Sequence, residues 1–152
     1  MTPNDYFLVF TLNGQRFGIN VTFVERVIHS VAITEIPKAP EIIMGVINVH
    51  GTILPIINMY KRLNLPGITI GLNNKFVIIK TDKRSFIISV DDVLGSIQSS
   101  EMKPSKGIWK NIDFVEGIIE LEDGLLLINN IEKLLLPEEE EEYLNIISKV
   151  AL

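Results

Sequence analysis

Hydrophobic and polar positions along the chain fall into short runs punctuated by turn formers, a pattern of short strands rather than long helices. Residues 6–12 are rich in aromatic and branched side chains and end at Asn13-Gly14, both of which tolerate positive φ and so mark a tight hairpin. Residues 16–21 predict the returning strand, and residues 24–28 a third after a bend. Two prolines in Ile36-Pro37-Lys38-Ala39-Pro40 force an extended loop. Residues 45–49 and 53–57 predict a second hairpin turning at His50-Gly51-Thr52, and residues 59–63 one or two helical turns. The same order then recurs. Strands are predicted at 76–81 and 85–90 around Asp82-Lys83-Arg84, a hairpin at 117–121 and 125–128 around Glu122-Asp123-Gly124, and a helical turn near 131–135.

The recurrence holds residue by residue. At an offset of 69, Phe7 meets Phe76, Asn13 meets Asp82, Phe17 meets Phe86, Ile19 meets Ile88, Val21 meets Val90 and Val24 meets Val93. At an offset of 72, Gly45 meets Gly117, Ile47 meets Ile119, Leu54 meets Leu126, Ile56 meets Ile128, Asn58 meets Asn130 and Lys61 meets Lys133. Any two hairpins share alternating apolar positions, but alternation does not produce matching glycines, asparagines and lysines. A period this long exceeds that of solenoid repeats and fits two domain-like halves packed side by side, each a small barrel of short strands.

After Pro137 come five glutamates and then Tyr143-Leu144-Asn145-Ile146-Ile147. Acidic residues after a proline suit a helix N-terminus. Leu144, Ile147 and Ala151 fall at helical spacing and predict the docked stripe of a terminal helix whose other face is solvated.

Composition narrows the function. Hydrophobic residues make up 47% of the 152 residues, and mean hydropathy is +0.30. So much apolar material in so short a chain implies a large core or apolar surface kept for partners. A net charge of −5 argues against binding of a phosphate backbone, and the lysines and arginines form no stripe interleaved with aromatics, so no nucleic-acid partner is expected. There is no cysteine, hence no disulfide frame or thiolate metal site. No apolar run approaches the ~18 residues of a membrane span; residues 42–47 contain Gly45 and stop at Asn48. The start of the chain lacks the basic opening of a signal peptide, so a cytoplasmic location without membrane insertion is expected.

Catalytic chemistry needs convergent groups, and few are present. The two histidines, His29 and His50, have no second ligand at metal-binding spacing, and His50 falls in a hairpin turn where surface exposure accounts for it. Asp91-Asp92 follows a strand as a turn cap would, while Glu120 and Glu122 alternate with apolar residues like the wet face of a strand. There is no nucleophile elbow, phosphate loop or dinucleotide fingerprint. No enzyme activity, metal or cofactor is expected, and the unassigned apolar excess is directed at other proteins.

The stretch Ile36-Pro37-x-Ala39-Pro40-x-Ile42-Ile43-x-Gly45-Val46-Ile47-Asn48-Val49-x-Gly51-x-Ile53-Leu54-Pro55-Ile56-Ile57 closely resembles the signature of CheW-like domains. Phe7-Leu8-Val9-Phe10-Thr11-Leu12 with Phe17-Gly18-Ile19 is similar to that domain's opening hairpin. Val90-Asp91-Asp92-Val93-Leu94-Gly95 and residues 128–135 are similar to its later landmarks. The resemblance spans about residues 7–136. It implies an all-β fold of two five-stranded SH3-like barrels related by a pseudo-twofold, plus a C-terminal helix. The implied domain covers residues 6–136, with halves at about 14–70 and 71–136, the N-terminal strand a candidate to join the second half, and residues 137–152 as the helix.

The implied function is non-enzymatic coupling of methyl-accepting chemoreceptors to the regulatory domain of the histidine kinase CheA, in cytoplasmic arrays at the inner membrane. A non-flagellar twitching or gliding pathway is the alternative within the family, and a small ligand-binding β-barrel the remote one. Because the kinase's regulatory domain shares the fold, barrel-to-barrel association is implied, with the receptor tip in a groove between the barrels. The binding residues implied on this chain are Val24, Arg26, Val27, Asn48, His50 and Gly51. Two positions depart from the pattern. The family usually reads Asn-Leu-Arg-Gly where this chain has Asn48-Val49-His50-Gly51, and commonly carries Glu at the position of Arg26. The family's ion pair is thus replaced by a cation facing a histidine. Arg26 and His50 are expected within side-chain reach, with Glu25 a neighbouring carboxylate.

Overall fold

The computed structural model of the protein describes residues 5–65, 73–99, 103–104 and 114–149. The strands are β1 (Asp5–Leu12), β2 (Gln15–Asn20), β3 (Val24–His29), β4 (Ile43–Val49), β5 (Thr52–Ile57), β6 (Lys75–Lys80), β7 (Ser85–Val90), β8 (Asp92–Ser99), β9 (Lys103–Pro104), β10 (Val115–Leu121) and β11 (Gly124–Asn129). The helices are α1 (Met59–Arg62), α2 (Ile131–Leu134) and α3 (Pro137–Lys149). The anticipated turns form for the anticipated reasons. Asn13 and Gly14 take φ of 52° and 81°, and His50 and Gly51 take 51° and 89°, left-handed values that suit two-residue hairpin loops. Asn58 and Asn130 each cap a short helix with the side-chain oxygen, so the repeat extends to the caps.

The strands form two sheets, ordered β8-β1-β2-β11-β10-β9 and β3-β6-β7-β5-β4. Both curl as SH3-like barrels, and both close in the same way. Beyond β3 the chain returns at Thr34 to bridge Val46 of β4, with Thr34 and Val46 exchanging backbone hydrogen bonds of 3.0 and 2.8 Å. In the other barrel Lys103 of β9 opposes Ile118 of β10. Those two residues stand 69 and 72 positions beyond Thr34 and Val46, so β9 is the second copy of the same closing bridge.

The sheets correct the expected division at about residue 70. Hairpin β1–β2 belongs with β8, β10 and β11, while hairpin β6–β7 belongs with β3, β4 and β5. Not the N-terminal strand alone but both opening hairpins change partners. Parallel contacts seal each exchange, Ile56 opposite Ile87 in one barrel and Ile128 opposite Gly18 in the other. The strand β8 was not anticipated. Its sequence, with Gly95, Ser96, Gln98 and Ser99, lacks an apolar alternation.

The core follows the exchange. Ile47, Leu54, Ile56, Phe76, Ile78 and Ile87 fill one barrel, and Phe7, Val9, Ile119, Leu126 and Ile128 the other. A larger cluster lies between them and joins Phe10, Leu12, Phe17 and Ile19 to Val77, Ile79, Phe86 and Ile88, with Phe10 and Phe17 stacked at 6.0 Å. Asp91 pins the same junction, accepting hydrogen bonds from the Asn13 backbone N–H and the Tyr60 hydroxyl.

Helix α3 docks on a different stripe from the one expected. Leu144 is exposed, whereas Tyr143 is buried and Ile147 packs on the central cluster; Ala151 lies outside the described residues. The stripe that docks is Glu139, Tyr143 and Ile147, spaced i, i+4, i+8. Arg62, nearly buried, donates to both carboxylate oxygens of Glu139 at 2.6 Å and lies 5.3 Å from the centre of the Phe114 ring. Arg84 reaches Glu140 at 3.3 Å and Glu132 at 3.5 Å. Two helix glutamates therefore grip arginines of the first barrel, an anchoring that a dipole argument alone does not require. Burial pushes the Tyr143 phenol up to about 12.

The closing bridge generates a prediction. A Cβ on Gly45, at φ +154°, would stand 2.4 Å from Ile33 Cγ2 and 2.5 Å from the Thr34 carbonyl oxygen. One on Gly51, at φ +89°, meets nothing within 4 Å. Gly45→Ala should cost about 2–4 kcal/mol and Gly51→Ala only about 1 kcal/mol. Chemical denaturation of both variants checks this, and equal losses would count against a tight seam at Gly45.

Candidate functional site

The sheet order places β3 and β4 at opposite edges of one sheet, and closure of the barrel brings them together. Arg26 stands on β3 just after a bulge, since Val24 opposes Ile79 but Arg26 opposes Ile78. His50 is the first residue of the turn that ends β4, held left-handed in a conformation histidine tolerates better than most residues. Across the seam Arg26 Nη1 and His50 Nε2 lie 2.8 Å apart, so the expected proximity is met. A guanidinium has no acceptor and does not give up its proton, so Nε2 must accept and the neutral ring carries its proton on Nδ1.

The other expected residues serve this arrangement differently. Asn48 Oδ1 accepts the Gly51 backbone N–H at 2.7 Å and so fixes the turn carrying His50. Val24 is partly buried against the central cluster, while Val27 stays exposed on β3 with Val31 beyond it. A cavity of about 470 Å³ opens beside the contact, lined by Arg26 and His50 and also by Glu25, Val49, Thr52, Leu54, Lys80 and Ser85. Val24, Val27, Asn48 and Gly51 do not line it. Of the lining residues outside the expected set, Val49, Thr52 and Leu54 belong to the predicted β4–β5 hairpin, whereas nothing in the sequence pointed to Lys80 and Ser85. They flank the β6–β7 turn and reach the site only because that hairpin is exchanged.

The corresponding turn of the second barrel is chemically different. Glu122 and Asp123 replace His50 and Gly51 at the 72-residue offset, and Arg16 donates to Asp123 at 3.0 Å. That hydrogen bond, with the charge behind it, holds the Asp123 carboxyl below its ordinary range. Nearby in sequence, burial raises Glu116. The remaining candidates for chemistry are accounted for. Asp92 accepts the Val93 backbone N–H, Asp91 is the junction pin, and His29 lies opposite Lys75 at the far end of β3. Among the described residues no group of three His, Asp or Glu side chains is disposed to hold a metal, and no helix among them is long and apolar enough to cross a membrane.

The contact predicts a tautomer. At about pH 8 the imidazole ¹⁵N spectrum of His50 should show Nδ1 protonated and Nε2 bare, and Arg26→Met should return the ring to the Nε2–H form usual for free imidazoles. An Nε2–H signal in the unaltered protein would contradict the geometry.

Residues 6–139 match the CheW-like domain. The chain is 29% identical over 143 residues to the chemotaxis protein CheW of Klebsiella aerogenes, covering 91% of this chain and 86% of that protein. It is 31% identical over 125 residues to the chemotaxis protein CheW of Bacillus subtilis, covering 80% of each. Among solved structures the scaffolding protein TtCheW from Thermoanaerobacter tengcongensis superposes with a TM-score of 0.77 at 28% identity, covering 84% of this chain and 89% of that one. The chain belongs to the CheW-like domain family of chemotaxis adaptors, which are scaffolds rather than enzymes.

Proposed function

We propose that this protein couples chemoreceptors to the histidine kinase CheA, as one unit of about residues 6–136 carrying the helix of residues 137–152. The single observation that supports this most is the match over residues 6–139 to an adaptor family. The receptor-side site is the first-barrel face built by β3 and the β4–β5 turn, where Arg26 and His50 meet beside the exposed Val27 and Val31. The exposed Tyr6 and Leu94, on β1 and β8 of the second barrel, supply apolar surface for the kinase's related barrels. The protein then works in the cytoplasm, at receptor arrays beneath the membrane.

A pull-down with the isolated kinase regulatory domain and, separately, with a chemoreceptor signalling tip tests the reading. Both should be retained, and retention of neither removes the assignment while leaving the fold untouched. His50→Arg places a second guanidinium against Arg26. It should change receptor affinity roughly three- to tenfold while leaving kinase affinity within about twofold. Equal shifts in both titrations would remove the receptor-side role.

A further inference from the structure

The cavity beside Arg26 and His50 has a lining suited to one kind of guest. Its titratable and charged groups are Glu25 and Arg26 on β3, Lys80 at the end of β6, and His50 on the β4–β5 turn; Thr52 and Ser85 add hydroxyls, and Val49 and Leu54 apolar walls. With His50 neutral these amount to two cations against one anion. The contact at 2.8 Å is possible only while the imidazole keeps a lone pair on Nε2. A second proton removes that lone pair, turns both ring nitrogens into donors and leaves two like charges in contact. A carboxylate relieves this arrangement, since one oxygen can accept from the guanidinium and the other from the imidazolium.

We propose that this cavity receives a carboxylate side chain of the receptor partner, with Arg26 as its permanent donor and His50 as a donor switched on by protonation. The receptor as the source of the carboxylate rests on the coupling reading above; the carboxylate site itself does not. Neutral His50 engages one Arg26 N–H with its only lone pair, on Nε2, and so withholds that donor from the guest. Protonated His50 releases that N–H and adds a second charge-assisted donor. Glu25 is the internal competitor on the same rim, and Lys80 offsets it. Because the guest prefers the protonated form, its affinity rises as pH falls through the histidine range, and the guest in turn raises the proton affinity of His50. For groups this exposed the gain is roughly two- to fivefold.

Two titrations of the full-length protein, labelled at histidine, test this. In the first, N-acetylglutamate is the probe. At about pH 5.5 it should move the His50 ring signals, and at about pH 8 it should move them much less; His29 should not respond at either pH. No response, or an equal response at both pH values, overturns the proposal. In the second, a chemoreceptor signalling tip is titrated at the same two pH values. Its affinity should rise two- to fivefold on acidification with the unaltered protein and with His29→Gln. It should stay flat with His50→Gln, which keeps an acceptor for Arg26 but cannot take the proton. A pH dependence that survives His50→Gln also overturns the proposal. A tip that fails to bind at either pH, with the acetylglutamate response intact, removes the coupling reading and leaves the carboxylate site standing.

Discussion

The structure depends on one apolar seam. Phe10, Leu12, Phe17 and Ile19 from the first hairpin and Val77, Ile79, Phe86 and Ile88 from its repeat pack into a single cluster between the barrels. Neither barrel owns it, because each hairpin hydrogen-bonds in one sheet while its buried side chains also serve the junction. A barrel of five or six short strands has little interior, and the clusters private to each barrel are correspondingly small. The large core implied by the hydrophobic composition is thus placed mainly where two small barrels meet. Asp91 and helix α3 strengthen the same join, the first by bridging Asn13 and Tyr60, the second by carrying Glu139 and Glu140 from the end of the second barrel to Arg62 and Arg84 of the first.

Much of this was legible in the sequence where local chemistry decides. Asn13-Gly14 and His50-Gly51 sit in the left-handed turns their residue types favour, and Asn58 and Asn130 cap the helices that the repeat paired. What was not legible is what distance decides. Alternation in β1 and β6 says which faces are apolar but not which sheet supplies the neighbours, so the exchange of hairpins is invisible to a pattern read along the chain. Strand β8 was missed because its polar residues and the Gly95 bulge erase the alternation, although the offset that pairs Val24 with Val93 carries the whole of β3 onto it. In α3 a stripe through Leu144 lost to one through Tyr143, because Arg62 and Arg84 fix the helix rotation through Glu139 and Glu140. Those arginines lie more than 50 residues away from their partners.

The candidate site divides in the same way. Arg26 and His50 stood out from the resemblance because they depart from a family pairing, and Asn48 and Gly51 because they lie in the same signature stretch. Lys80 and Ser85 carried no local signal, being the two ends of a hairpin that belongs by sequence to the other half. Val24 and Val27, implied by the same resemblance, fall outside the cavity because strand alternation and the bulge at Glu25 turn them away from it.

Closure is what makes the site possible. Arg26 and His50 lie near opposite edges of a five-stranded sheet, and in a flat sheet those edges stand about four inter-strand spacings apart, close to 20 Å. The Thr34–Val46 bridge and the close approach at Gly45 draw the two edges together, and the second barrel repeats that bridge without repeating the chemistry. There the turn residues are acidic and Arg16 neutralises Asp123. In the first barrel the turn presents a histidine to an arginine that has no choice but to donate. Duplication therefore supplied two equivalent turns, and divergence at a few turn positions left one tied up in an internal ion pair. The other is held by a hydrogen bond that a second proton on His50 abolishes, so the two turns differ in their electrostatics and not in their closing bridge.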